Sequence, residues 1–237
     1  LTAEDFDCVR RLIHARAGIS LAPHKIEMVY SRLAKRLRAL GYGRFRDYLR
    51  LLQADAEHVE WEHFTNALTT NLTAFFREAH HFPMLAEHAR AVRRPLRVWC
   101  CAASTGEEAY SIAITLAEAQ AHSLAPASIL ATDIDTAAIA NAARGIYTQD
   151  AVAKLAPERL HRFFLKGTGE RAGLVRVHPQ LHQAIEFRAL NLLDRDWSVG
   201  GPFDAIFCRN LMIYFDKQTQ RALLERFAAL LRPDGLL

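Results

Sequence analysis

The sequence predicts an α/β protein in which an all-helical N-terminal domain precedes an open α/β sheet with a small antiparallel β insert. Three observations carry this. Residues 1–68 keep helical periodicity and cap signals throughout. From about residue 95, short apolar runs alternate with amphipathic stretches, the pattern of successive βαβ units on a parallel sheet. Between residues 173 and 190, two alternating runs flank a proline and read as an antiparallel excursion.

In chain order, "TAEDFDCVRRLIHARAG" opens on a threonine cap with early acids and closes at Gly18. A proline starts "PHKIEMVYSRLAKRLRALG" and a glycine ends it. Helical patterns continue through "FRDYLRLLQA" and "AEHVEWEHFTNALT". "LRVWCCA" (96–102) is the first strand, "EEAYSIAITLAEAQA" a helix, "SILATDI" (128–134) the second strand and "TAAIANAARGIY" another helix. "FDAIFCR" (203–209) reads as a buried strand and "KQTQRALLERFAALL" as a helix; "RPDGLL" then turns towards a strand past the end of the chain. The expected division is a helical domain at 1–70, a linker at 71–94, and an α/β domain at 95–237 with its insert at about 165–190.

The 237 residues are 51% hydrophobic and 24% charged, a globular composition. No apolar run approaches the roughly 18–20 residues of a membrane span, and nothing near Leu1 resembles a signal peptide, so a cytoplasmic protein is expected. Four cysteines without a C-x-x-C pair suggest neither a disulfide framework nor zinc; Cys100, Cys101 and Cys208 lie in strand-like runs and read as buried. His80 and His81 are adjacent and would diverge on a regular element, so no metal is expected. Net charge is +4, yet residues 1–50 alone carry +6. Lys25, Arg32, Lys35, Arg36 and Arg38 share one predicted helix, with Arg32 and Arg36 on one face, so an acidic partner could dock there.

Ligands of open α/β sheets sit at the carboxyl ends of the strands. After the first strand comes "AASTGEEAYS", with small residues, a glycine suited to a tight turn, and two acids where a dinucleotide would place its pyrophosphate. Capping explains one acid; the second favours a cationic ligand such as S-adenosylmethionine, whose amino group Glu108 could accept. Asp133, at the tip of the second strand, suits ribose hydroxyls, whereas Asp135 suits a helix cap. Asn191 and Leu192 follow a later strand and could meet the adenine, and Asn210 and Leu211 end the next, with Tyr214 one turn on. "NLMI" there is not the Asn/Asp-Pro-Pro-aromatic tetrad of enzymes that methylate base amines.

"TNLTAFFREAHHF", "ASTGEEAYSIAI", "ATDID", "GTGERAGLVRV" and "FDAIFCRNLMIYFDKQTQ" together resemble the bacterial chemotaxis receptor methyltransferases, the CheR family, over essentially the whole chain. The resemblance implies a Rossmann-like class I S-adenosylmethionine-dependent methyltransferase sheet. It implies methyl transfer to glutamate carboxylates of chemoreceptors, giving glutamyl methyl esters and S-adenosylhomocysteine, at receptor arrays in the cytoplasm. By motif, cofactor contacts fall on Asn71, Thr73, Arg77, Glu108, Asp133, Asn191, Leu192, Asn210 and Leu211, with Arg77 and Tyr214 beside the reacting methyl group and Phe75 and Phe76 anchoring their segment. Arg32, Lys35, Arg36 and Arg38 would dock the receptor's methylation helices, and the intact "GTGERAG" loop implies capture of a receptor C-terminal tail peptide. A chain that begins at Leu1 and ends at Leu237 would then be a trimmed form. Two other readings are a nucleic-acid methyltransferase, for which Tyr30 and Tyr42 are too sparse as stacking partners, and a catalytically silent tail-binding adaptor.

Overall fold

The structure, a computed structural model, describes residues 1–92, 94–119 and 127–237. Helix α1 (Ala3–Ala17) begins at Thr2, whose hydroxyl accepts from the Asp5 amide while the Asp5 carboxylate accepts from the Thr2 amide. It ends at Gly18 in the left-handed conformation. Helices α2 (Ile26–Ala39), α3 (Phe45–Ala54) and α4 (Glu60–Leu68) complete the first domain. Phe6, Val9, Ile13, Leu33, Leu52 and Phe64 meet in its core.

One buried ion pair ties this core together. Arg36 holds Glu60 through two hydrogen bonds of 2.9 and 2.6 Å, and the Tyr48 hydroxyl donates to the same carboxylate at 3.0 Å. Burial alone would raise the Glu60 pKa, but the bonds from Arg36 and Tyr48 outweigh it and hold the group below the usual range. Arg32 donates to the carbonyls of Ala67 and Thr69, at 3.3 and 2.5 Å, closing the C-terminal end of α4. This corrects the docking expectation for Arg32 and Arg36: their common face is turned onto α4. Lys35 and Arg38 stay exposed.

Helix α5 (His81–Ala91) leads into β1 (Arg97–Cys100), α6 (Glu107–Ala119), β2 (Ser128–Asp133) and α7 (Thr136–Arg144). Gln120 and Ala121, expected in the α6 helix, lie outside the described residues. There follow β3 (Ile146–Thr148), α8 (Gln149–Val152), α9 (Pro157–Phe163), β4 (Phe164–Lys166), β5 (Leu174–Val177), α10 (Pro179–His182), β6 (Ile185–Ala189), β7 (Phe203–Phe207), α11 (Lys217–Leu230) and β8 (Leu231–Leu236). Among the described residues the main sheet runs β6-β2-β1-β7-β8, all parallel, and a second sheet runs β3-β5-β4, antiparallel. The central strands read as apolar runs because helices cover both faces.

Three boundaries differ from the sequence reading. The helix at "TAAIANAARGIY" stops at Arg144, since Gly145 takes a left-handed cap and Ile146 starts β3. Of the two runs around Pro179, only the first belongs to the antiparallel sheet; the second is β6, parallel to β2 in the main sheet. The insert therefore spans 146–177 rather than about 165–190. As an edge strand, β6 is half-exposed, so it alternates like an antiparallel strand while pairing as a parallel one. Finally, "RPDGLL" lies within β8 up to Leu236, already paired with β7. Cys100 and Cys101 are buried as expected, whereas Cys208 is only half-buried.

Candidate active site at the strand ends

The loop after β1 turns sharply through Ser104 and Gly106, both at positive φ. A β-carbon on Gly106 would come within 2.8 Å of Ala142 Cβ and the Tyr147 hydroxyl, so only glycine lets the loop lie against α7. The Ser104 amide donates to Asp133 at 2.8 Å and the Asp135 amide donates to its other oxygen at 3.0 Å. Burial raises the Asp133 pKa, and these two hydrogen bonds pull it partly back. Asp135 caps α7 through the Ala138 amide, as expected, and also accepts from Thr69 and from the Asn71 amide, each at 2.7 Å. Asn71 in turn accepts from the Ser104 hydroxyl at 3.1 Å. Residues 69–71 thereby bind the helical domain to both strand-end loops.

Next along the same segment, Phe75 stacks edge-on against Tyr147 and Phe164, and Phe76 against Phe82. The guanidinium of Arg159 lies 4.1 Å above the Phe76 ring while binding Glu118 through two hydrogen bonds. Phe76 and Glu78 are both left-handed, with φ of 53° and 52°, a conformation that costs about 1 kcal/mol or more per non-glycine residue. Packing and a 2.9 Å hydrogen bond from the Phe76 amide to Ser111 Oγ offset that strain. Arg77 is held between the two, donating to the Leu72 carbonyl at 2.7 Å. Its ion pair with Glu78 is long, at 3.9 Å.

Sequence reading missed Arg209. Its guanidinium reaches Glu108 at 2.7 Å, Glu78 at 3.3 Å and the Arg77 carbonyl at 2.5 Å, and its buried Nε finds no partner among the described residues. An arginine two residues past a strand of five buried residues was the available signal. Burial pushes the Glu108 pKa up, and Arg209 draws it back. Of the two acids in the first loop only Glu108 lines the cleft; Glu107 takes a 2.7 Å hydrogen bond from Thr105. Because Arg209 balances Glu108, charge at this loop does not by itself exclude a pyrophosphate, contrary to the sequence reading.

A cleft of about 340 Å³ opens between the helical domain and the strand ends, within the range of small-molecule sites. Asn71, Thr73, Arg77, Glu108, Asp133, Asn191, Leu192, Asn210, Leu211 and Tyr214 all border it. Besides those already described, two more are engaged. Asn191 donates to the Arg16 carbonyl at 2.8 Å and accepts from the Leu193 amide, so its amide serves the domain contact instead of pointing freely at a base. Asn210, left-handed at φ 57°, donates to Glu78 at 2.9 Å. That bond, together with the one from Arg209, lowers the Glu78 pKa. His80 and His81, expected to diverge, have ring centroids 4.0 Å apart. No group of three or more potential metal ligands occurs among the described residues.

Fold and cleft together define an α/β protein with a small-molecule-sized cleft at its strand ends beneath a helical domain. Residues 71–237 match the family model described as the CheR methyltransferase S-adenosylmethionine-binding domain, and residues 4–69 match the CheR methyltransferase all-alpha domain. The chain belongs to the CheR methyltransferase family. It is 55% identical over 237 residues to a chemotaxis protein methyltransferase of Salmonella typhimurium, covering 100% of this chain and 82% of that one. Against the Escherichia coli protein of the same description it is 53% identical, covering 100% and 83%. Chemotaxis protein methyltransferase 2 of Pseudomonas aeruginosa is 55% identical, covering 99% of this chain and 84% of that protein.

The residues present fit S-adenosylmethionine. Glu108 offers a buried carboxylate to an ammonium, Asp133 a carboxylate to ribose hydroxyls, and the orphaned Nε of Arg209 marks a donor still to be satisfied. Leu192, Leu211 and Ile134 supply apolar walls.

Proposed function

We propose that this protein methylates glutamate side chains of bacterial chemoreceptors, giving glutamyl methyl esters and S-adenosylhomocysteine. The observation that carries the reading is Arg77, locked between two left-handed residues and left 35% exposed at the cleft, with Tyr214 bordering the same opening. Strain of that kind persists where it positions something, and a cation there suits an anionic acceptor. When bound, S-adenosylmethionine supplies a methyl group activated on a sulfonium. A receptor glutamate, with an ordinary pKa near 4.3, is already ionised at neutral pH, so no side chain has to remove a proton. What remains is alignment and exclusion of water, worth several kcal/mol at a well-oriented site. Arg77 orients the incoming carboxylate, and the Tyr214 hydroxyl hydrogen-bonds beside the methyl group. Asn71, Thr73, Glu108, Asp133, Leu192, Asn210 and Leu211 hold the donor; Asn191 contributes through its contact with α1.

The receptor's methylation helices dock on the exposed cations of α2, Lys35 and Arg38. A receptor C-terminal tail peptide adds to the second sheet, where β4 stands at an edge and the "GTGERAG" loop joins it to β5. The protein works in the cytoplasm at receptor arrays; among the described residues no helix is long and apolar enough to cross a membrane. The test is transfer of tritium from methyl-labelled S-adenosylmethionine to receptor-bearing membranes, followed by base-labile release as methanol. Label in nucleic acid, or receptor binding without label, would refute the reading.

A further inference from the structure

The mouth of the cleft has an apolar edge that a small ligand does not need. Leu72 and Ile213 both border it, and at 75% and 76% they are the most exposed large apolar side chains among the described residues. Neither joins any of the three apolar cores. Leu72 lies on the segment that carries Arg77, whose guanidinium binds the Leu72 carbonyl. Ile213 lies in the turn Met212–Tyr214, next to Tyr214. Lys25, exposed, borders the same mouth, whereas the carboxylates of Glu108 and Asp133 are largely buried inside.

We infer that Leu72 and Ile213 are apolar lips that hold the substrate protein, which crosses the mouth as an acidic amphipathic helix. This rests on the glutamate reading above. A glutamate carboxylate reaches the cleft only if its backbone passes over the rim, and on a helix its neighbours three and four positions away share its face. Apolar side chains one turn from the glutamate would then cover Leu72 and Ile213, while acidic ones meet Lys25. The lips thus select glutamates flanked by apolar residues at helical spacing, and they act on docking of the protein substrate alone.

Leu72→Asp and Ile213→Asp test this through two readouts: methyl transfer as a function of receptor concentration, and calorimetric affinity for S-adenosylhomocysteine. Each variant is expected to raise the receptor KM about tenfold, the effect of losing one partly buried apolar contact, with S-adenosylhomocysteine affinity kept within about twofold. Leu72→Ser and Ile213→Ser, which add no charge, should act in the same direction, and Ile213→Leu should retain the wild-type KM. An unchanged receptor KM overturns the inference, as does a parallel loss of S-adenosylhomocysteine affinity. Absence of transfer by the wild-type protein would instead sink the glutamate reading.

Discussion

The Arg209 guanidinium stands 2.7 Å from the carboxylate of Glu108, and this contact sets the charge of the cleft floor. Burial raises the Glu108 pKa and Arg209 opposes that rise. Protonating Glu108 removes the charge that would hold an ammonium, so S-adenosylhomocysteine affinity should fall as pH drops through the raised value. Arg209→Met removes the opposing cation, and the fall should begin at a higher pH than in the wild type. Calorimetry on both proteins from the ordinary carboxylate value of 4.5 up to neutral pH checks this; superimposable profiles would mean that Glu108 does not touch the ligand.

Arg77→Ala should lower kcat far more than it weakens S-adenosylhomocysteine binding, because orientation of the acceptor is used only on the way to the transition state. A loss confined to affinity, with kcat intact, would reassign Arg77 to the donor.

Ser111 supports Arg77 from beneath through the Phe76 amide. Ser111→Ala leaves that amide without its partner, at a stability cost of about 1–3 kcal/mol. The expected signature is a kcat reduced about tenfold with the KM for S-adenosylmethionine nearly unchanged, since a displacement of about 1 Å at a positioned group suffices. Equal losses in both constants would point to general loosening of the fold.

The cations of α2 divide by role. Arg36→Ala strands the buried Glu60 and should cost about 3–5 kcal/mol of stability, read as a lower melting temperature. Because the Glu60 pKa is depressed in the folded protein, its contribution is complete above the ordinary value of 4.5 and is lost as pH falls below it. Glu60→Gln should therefore flatten the stability profile in that acid range. Lys35→Glu with Arg38→Glu should leave stability within about 0.5 kcal/mol and instead slow receptor methylation and weaken its salt dependence.

Gly18 couples the domains. It is left-handed at φ 69°, and a β-carbon there would lie 2.7 Å from the Phe215 ring, which lines the cleft. Gly18→Ala should lower the melting temperature and weaken S-adenosylhomocysteine binding together. Intact binding would show that the two domains can separate without opening the site.

The helices of residues 1–68 and the strands at 97–100, 128–133 and 203–207 are legible in the sequence, because caps, periodicity and doubly buried apolar runs are local properties. Asp133, Glu108 and Tyr214 are legible too, since topology places strand ends at the cleft whatever the loops do. What no local pattern encodes is which polar partner a side chain meets across the fold. Arg36 and Lys35 are neighbours of like charge, yet α4 brings Glu60 to one and leaves the other in water. Asn191 turns to Arg16, 175 residues away, and Arg209 to Glu108, 101 residues away. β6 likewise joins the main sheet through a partner strand that its own alternation does not name. Sequence by itself set the elements and the residue types at their ends; the tertiary fold alone paired the charges, because a buried charge is fixed by whatever opposite group the packing carries to it.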